Sequence, residues 1–119
     1  MTANEIALTA VKALDSKKGQ DIKCLETGHL TTLADYFVLC TATSTTQIKA
    51  LSDVCEEAME RNGERVHHIE GHRGGTWVLL DFSSVVVHIF NEEAREFYDL
   101  ERLWSDAVPM DLSGVLTQD

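Results

Sequence analysis

Histidine and cysteine are the side chains of this chain best suited to metal binding or nucleophilic chemistry. His68 and His72 are four positions apart, a spacing that pairs two ligands on a helix, but Gly71 between them interrupts such a helix. His67 and His68 would point to opposite faces of a strand. We therefore expect surface or hydrogen-bonded histidines and no metal site.

The cysteines, Cys24, Cys40 and Cys55, each lie among apolar residues and show neither metal-ligand nor redox spacing. This pattern predicts buried thiols and a reducing compartment. The first 18 residues contain Glu5 and lack the basic start of a signal peptide, and no apolar run is long enough to span a membrane. We expect a cytoplasmic location without membrane binding.

Other catalytic patterns are also missing. Ser44 follows an apolar strand and could serve as a nucleophile or phosphate ligand, but no glycine flanks it and helix capping accounts for it. The glycines of residues 71–75 do not match a phosphate-binding loop. Asp35 and Asp81 each stand alone, without the Asp-x-Asp pair that would hold a catalytic metal. We expect neither an enzyme nor a cofactor.

The formal net charge of −10 disfavours binding to nucleic acid, which depends on neutralising phosphates with cations. We expect no direct sequence-specific nucleic-acid binding. A basic protein partner fits the charge better, because opposite potentials steer association. The alternative is that the acidity only maintains solubility.

Local patterns predict three helices and five strands. Thr2 and Glu5 form a capping box that begins a helix over residues 3–17, and Ser44 with Gln47 forms a second one before a helix over residues 44–61. Asn91 caps a third helix, in which Phe97, Leu100 and Trp104 recur at helical spacing. The strands are predicted at residues 21–26, 35–42, 65–69, 76–82 and 85–90.

This order predicts a mixed α/β fold with about five strands in a sheet flanked by helices, and one parallel crossover. The chain is long enough for one domain, which we place at residues 1–106. Residues 107–119 are predicted to form a loose C-terminal tail.

The last two strands form a hairpin around Ser83-Ser84, and this turn fixes which side chains share a face. One face is wholly apolar and predicted to be core: Val78, Leu80, Phe82, Val85, Val87 and Ile89. The other face pairs Trp77 with Phe90, Leu79 with His88, and Asp81 with Val86. This mixed face either lies under a helix or meets a partner.

The third helix is locally negative. Its segment contains six acidic residues opposed only by Arg95 and Arg102: Glu92, Glu93, Glu96, Asp99, Glu101 and Asp106. A solvated helix face would explain these acids. The neighbouring Tyr98 and Trp104 favour a docking surface instead, because such rings are enriched at interface hot spots.

Several ordered blocks of sequence resemble the ribosomal silencing factor family, also called the RsfS or Iojap family. They are ADYFVLCTATSTTQ at 34–47, EG at 70–71, WVLLDF at 77–82, VVVHIF at 85–90 and REFYDLERLW at 95–104. The match runs in order through most of the chain, from the first helix to Trp104. One departure is Ser83-Ser84, where family members often have Gly-Asp.

The resemblance implies a binding factor and not an enzyme. Family members bind the large ribosomal subunit through its ribosomal protein number fourteen, sterically prevent the small subunit from joining, and so repress translation when nutrients are short. Organellar members are tied to large-subunit biogenesis. The resemblance also implies a core like that of nucleotidyltransferases without their catalytic residues, and dimers have been seen.

Combining the resemblance with the hairpin faces gives a candidate partner-binding set: Trp77, Leu79, Asp81, Tyr98, Asp99, Glu101 and Trp104. The alternatives are a large-subunit biogenesis factor, a homodimer whose seam is the mixed face, and a nucleotidyltransferase-like enzyme using Ser44.

Overall fold

The computed structural model of the chain describes residues 1–71 and 75–116, and its elements follow the predicted order with additions near the C-terminus. The helices are α1 (Ala3–Ser16), α2 (Thr45–Arg61), α3 (Glu92–Tyr98) and α4 (Leu100–Leu103). The strands are β1 (Gln20–Glu26), β2 (Tyr36–Ala42), β3 (His68–Glu70), β4 (Trp77–Asp81), β5 (Val85–Asn91) and β6 (Val108–Pro109). His72 and Gly74, considered above as part of metal and phosphate patterns, lie outside the described residues.

The strands form one mixed sheet in the order β3-β4-β5-β2-β1-β6. β2 and β5 pair in parallel at the centre, and the other neighbours pair antiparallel. The predicted mixed α/β fold with a parallel crossover is confirmed. The sheet has six strands and not about five, because β6 comes from a segment predicted to be a tail.

The main core lies between one face of the sheet and helices α1 and α2. α1 begins with the predicted capping box: the amide of Glu5 donates to Thr2 Oγ1 at 3.1 Å, and the amide of Thr2 donates to Glu5 Oε1 at 2.8 Å. The apolar stripes of both helices pack on the apolar hairpin face. All six hairpin residues predicted as core are buried.

The hairpin has the predicted register. Trp77 lies opposite Phe90, Leu79 opposite His88, and Asp81 opposite Val86. Ser83 adopts a φ of 73°, a left-handed conformation in which a non-glycine residue is strained. The amide of Ser83 donates to Asp81 Oδ1 at 2.7 Å, so the Asp81 side chain stabilises the turn that glycine would otherwise favour.

The third predicted helix is not continuous. α3 ends at Tyr98, Asp99 adopts a φ of 47°, and α4 starts again at Leu100. Asp is among the few residues that tolerate this left-handed conformation. The direction of the chain therefore changes at Asp99. Phe97, which recurs at helical spacing with Leu100 and Trp104 in the sequence, is 80% exposed.

Two smaller expectations are wrong. The Ser44 hydroxyl accepts from the Gln47 amide as in a capping box, but the Gln47 side chain accepts from the amide of Thr43 at 2.6 Å and not from Ser44. The third strand begins at His68 and not at residue 65.

Residues 107–116 pack against the sheet. Val108 and Pro109 pair with the end of β1, the amide of Met110 donates to the carbonyl of Cys24 at 2.8 Å, and Leu112 is buried in the main core. These residues do not form the loose tail that the sequence suggested. Residues 117–119 lie outside the described part of the chain.

The cysteines are free thiols in the core, as predicted. Burial raises the pKa of Cys24, Cys40 and Cys55 to about 12 each, so none is a reactive thiolate near neutral pH. Among the described residues, no helix has the length and apolar character needed to cross a membrane.

Candidate partner-binding surface

The sheet face opposite α1 and α2 carries a continuous group of aromatic rings. They come from β2, β4, β5 and the segment around α3 and α4: Phe37, Trp77, His88, Phe90, Tyr98 and Trp104. The two short helices cover part of this face, and Phe37 and Phe90 are buried beneath them. The rest of the face reaches solvent. We call its partly exposed members, Trp77, Leu79, Tyr98 and Trp104, the aromatic surface.

Trp77 is the centre of this group. Its ring stacks on Phe90 with centroids 5.1 Å apart and meets Tyr98 from α3 with centroids 4.4 Å apart. Its indole Nε1–H donates to His88 Nδ1 at 3.1 Å. These contacts leave the Trp77 side chain half-buried. Tyr98, which lies against the Trp77 ring, is 49% exposed.

His88 is a component that the search for catalytic histidines did not single out. It is 6% exposed, lies nearly parallel to Phe90, and meets the edge of Phe37. Burial lowers the pKa of His88 to about 4, so the imidazole is neutral at physiological pH. The hairpin register placed His88 opposite Leu79. This predicted the sheet face on which His88 lies, but not its hydrogen bond with Trp77.

Trp104 closes the other side of the aromatic surface. Its ring meets Phe37 edge-on with centroids 5.3 Å apart and packs with Leu79 over Ala34 and Val86. The turn at Asp99 brings Trp104 here, because a continuous helix would carry it along the axis of α3. The structure thus brings together all four members of the aromatic surface.

Glu101 is engaged within the protein. Arg95 Nε donates to one of its carboxylate oxygens at 3.0 Å, and Lys23 Nζ donates to the other at 3.2 Å. Burial would raise the pKa of Glu101, but the hydrogen bonds and positive charges of Arg95 and Lys23 outweigh it and lower the pKa. This geometry makes Glu101 a residue that fixes α4 in place, and less suited to meeting a partner than the sequence suggested.

The other two predicted acids differ from Glu101. Asp99 makes no side-chain cap bond to α4, although it occupies the capping position. Asp81 is tied to the hairpin turn through Ser83. It also lies four residues from Trp77 on β4, a separation of about 13 Å along a strand. Asp99 is therefore the candidate acid closest in the chain to the exposed aromatic rings.

Exposed apolar residues concentrate in the same region. In the described part of the chain, the segment of α3 and α4 contributes three of the seven exposed large apolar side chains: Phe97 at 80%, Leu103 at 69% and Tyr98 at 49%. The rings of Phe97 and Tyr98 contact each other with centroids 5.1 Å apart. Clustered exposure of this kind is typical of surfaces that bind other molecules.

Negative charge surrounds these rings. Glu92, Glu93 and Glu96 are exposed on α3. Arg95 turns inward, where its Nη1 donates to the carbonyl of Asp21 at 2.6 Å and to Thr41 Oγ1 at 2.8 Å. Because this cation is used inside the protein, the outer face of α3 is more acidic than its sequence alone suggests.

The described residues do not assemble the metal site or the serine nucleophile considered from the sequence. No group of three His, Cys, Asp or Glu side chains in residues 1–71 and 75–116 is placed to hold a metal ion. The Ser44 hydroxyl accepts from the Gln47 amide at 3.0 Å and acts as a helix cap. The exposed rings and carboxylates form a surface that is suited to binding another molecule.

Comparison with known proteins identifies close relatives. Residues 1–119 match the family model described as "Ribosomal silencing factor during starvation". The ribosomal silencing factor RsfS of Bacillus subtilis is 36% identical over 118 residues, which is 99% of this chain and 100% of that protein. A crystal structure of a protein from Chromobacterium violaceum is 36% identical with a TM-score of 0.86, covering 97% of this chain and 96% of that one. The chloroplastic Iojap protein of Zea mays is 35% identical over 89% of this chain and 46% of its own length.

Proposed function

This chain belongs to the ribosomal silencing factor family, and from that premise we propose that it represses translation by binding the large ribosomal subunit. The contact is with ribosomal protein number fourteen of that subunit. The bound factor sterically blocks association with the small subunit, and it acts when nutrients are limiting. The mechanism is one of occupancy and requires no catalytic group.

The aromatic surface is the observation that supports this proposal best. Trp77 on β4 and Tyr98 on α3 are in contact and reach solvent, and Phe97 extends the apolar area beside Tyr98. Trp and Tyr are the residue types most enriched at interface hot spots, each contributing about 1–3 kcal/mol when it anchors a complex. A surface of this kind binds a protein without any chemistry.

Charge supports the same partner class. The net charge is −10, and Glu92, Glu93 and Glu96 lie exposed on the helix that carries Tyr98. Proteins that bind ribosomal RNA are basic, so a ribosomal protein offers cations to such a surface. Asp99, beside Tyr98, is the acid we expect to meet a Lys or Arg of the partner.

A retention assay with large ribosomal subunits tests the proposal. The double variant Trp77→Ala, Asp99→Asn removes one ring and one charge, and Asn tolerates the left-handed conformation of residue 99. We expect at least about tenfold weaker retention of subunits. Tyr98→Ala, at a half-exposed position, should weaken retention without threatening the fold. The readout is the fraction of large subunits retained by the tagged, folded protein.

Glu57→Gln is the matched control. It makes the same change from carboxylate to amide at an exposed position of α2, on the other side of the sheet. We expect it to retain subunits like the unaltered protein. Retention that is undiminished in Trp77→Ala, Asp99→Asn would rule out this surface. Joining of the two subunits that is unaffected by excess protein would rule out the steric mechanism.

A further inference from the structure

We propose that His88 is a positioning residue that fixes the orientation of Trp77 for the partner. The inference rests on the proposed function for its purpose, but the geometry that carries it belongs to the free protein. The indole Nε1–H of Trp77 donates to Nδ1 of His88 at 3.1 Å across the antiparallel pair β4–β5.

This hydrogen bond determines the tautomer of His88. An indole nitrogen only donates, so Nδ1 must present a lone pair, and a neutral imidazole then carries its hydrogen on Nε2. The surroundings of His88 favour its neutral form, because the imidazole is 6% exposed and contacts the rings of Phe37, Trp77 and Phe90. An imidazolium would have no acceptor for Trp77.

Ring packing and the hydrogen bond fix different properties of Trp77. Stacking on Phe90 and contact with Tyr98 determine the plane of the indole. The N–H lies on one edge of the ring, and the bond to His88 requires that this edge face the imidazole. His88 thereby opposes rotation of the indole, so that a partner meets Trp77 in one orientation.

A pre-oriented side chain binds more tightly, because less conformational freedom is lost on association. Loss of one hydrogen bond that maintains this orientation corresponds to about fivefold weaker binding. His88 itself is buried and makes no contact with the partner in this account. Its effect on binding passes entirely through Trp77.

Nitrogen-15 magnetic resonance of the free protein tests the positioning directly. In the unaltered protein we expect His88 to carry its hydrogen on Nε2, and the Trp77 indole hydrogen to exchange with water more slowly than that of Trp104. Trp77→Phe assigns the indole signal. A hydrogen on Nδ1 of His88 would overturn the proposal without any variant being made.

Two substitutions separate the hydrogen bond from the packing. His88→Phe keeps a ring but removes the acceptor, so the Trp77 indole hydrogen should exchange faster. His88→Asn loses ring packing but places an amide oxygen close to the position of Nδ1, and it should restore slow exchange. Exchange that is unchanged in His88→Phe would contradict a positioning role.

The same variants are then compared for retention of large ribosomal subunits. We expect His88→Phe to bind about fivefold more weakly than the unaltered protein, and His88→Asn to recover most of this loss. Equal retention by His88→Phe and the unaltered protein would overturn the role of His88 in binding while leaving the proposed function intact. Failure of the unaltered protein to retain subunits would overturn the proposed function, while the resonance experiment would still decide how Trp77 is held.

Discussion

Asp99 and Glu101 are two carboxylates in one corner of the molecule with different surroundings. Glu101 has each of its oxygens bound by a cation of the same chain, Arg95 or Lys23. Asp99 makes no side-chain cap bond to the helix that follows it. At Glu101, a cation of the partner would have to compete with Arg95 and Lys23. At Asp99, it would not have to displace a helix-capping hydrogen bond, so Asp99 is the better acid to alter in the binding test.

Acid sensitivity is a second property set at the residue scale. His88 has a folded-state pKa of about 4 against an ordinary value of 6.5, because burial disfavours its charged form. Between these pH values the unfolded chain binds a proton that the folded chain does not, so stability falls as pH drops from 6.5 toward 4. We expect His88 to account for a loss of about 3 kcal/mol over this range.

The measurement is urea unfolding at a series of pH values, with His88→Asn as the comparison. The variant has no titrating group at this position, so it should lose less stability than the unaltered protein on acidification. The difference between the two proteins isolates His88 from the carboxylates that also titrate in acid. Parallel stability curves would show that His88 is not buried in its neutral form.

Residue types and hairpin register were sufficient to predict the face that carries Trp77, Leu79 and Asp81. They did not predict the Trp77–His88 hydrogen bond or the Arg95–Glu101 pair. Both depend on side-chain rotamers, and the second also depends on where a helix ends. Contacts of this kind join residues 6 and 11 positions apart and follow only once the backbone is placed.

At the scale of elements, the break between α3 and α4 has the largest consequence for the surface. Helical spacing of Phe97, Leu100 and Trp104 predicted one helix. A left-handed residue at Asp99 instead turns the chain so that Trp104 packs on Phe37 and Phe97 faces solvent. Asp tolerates this conformation, but nothing in the helical pattern shows that the chain adopts it.

Arg95 maintains this corner. Its guanidinium, in a side chain only 10% exposed, joins α3 to Glu101 of α4, to the carbonyl of Asp21 and to Thr41 of β2. Arg95→Met should lower the free energy of unfolding by about 1–2 kcal/mol, because it removes the donor of two partly buried hydrogen bonds, to Glu101 and to Thr41. It should also weaken retention of large subunits, because Tyr98 and Trp104 lose their fixed spacing.

Arg102→Met is the matched control for this prediction. Arg102 is exposed on α4, so the same substitution there should change stability by no more than about 0.5 kcal/mol. Urea unfolding of the two variants gives the comparison. If Arg95→Met is as stable as Arg102→Met, the hydrogen bonds of Arg95 do not hold the corner together.

At the scale of the whole molecule, the two faces of the sheet differ. One face forms the core with α1 and α2, and the other carries the aromatic surface and the acidic helix. Alternation along β4 and β5 predicted this division. The sixth strand was not predicted, because Val108 and Pro109 are too short a segment to show periodicity and pair only through the end of β1.

If the proposed function is right, the protein should bind the large subunit with its aromatic surface facing the ribosome and α2 facing away from it. Sedimentation of the protein alone and with ribosomal protein number fourteen would show whether a homodimer uses the same face. If it does, dimer and complex exclude each other. If the two coexist in one species, the dimer seam lies elsewhere.

Site-specific photocrosslinking on isolated large ribosomal subunits tests the central claim most directly. The crosslinker p-benzoylphenylalanine replaces Phe97, exposed beside Tyr98, or Glu57 on α2 as the opposite-face control. We predict that the probe at position 97 crosslinks to ribosomal protein number fourteen and that the probe at position 57 does not. Crosslinks to that protein from position 57 and none from position 97 would contradict the account.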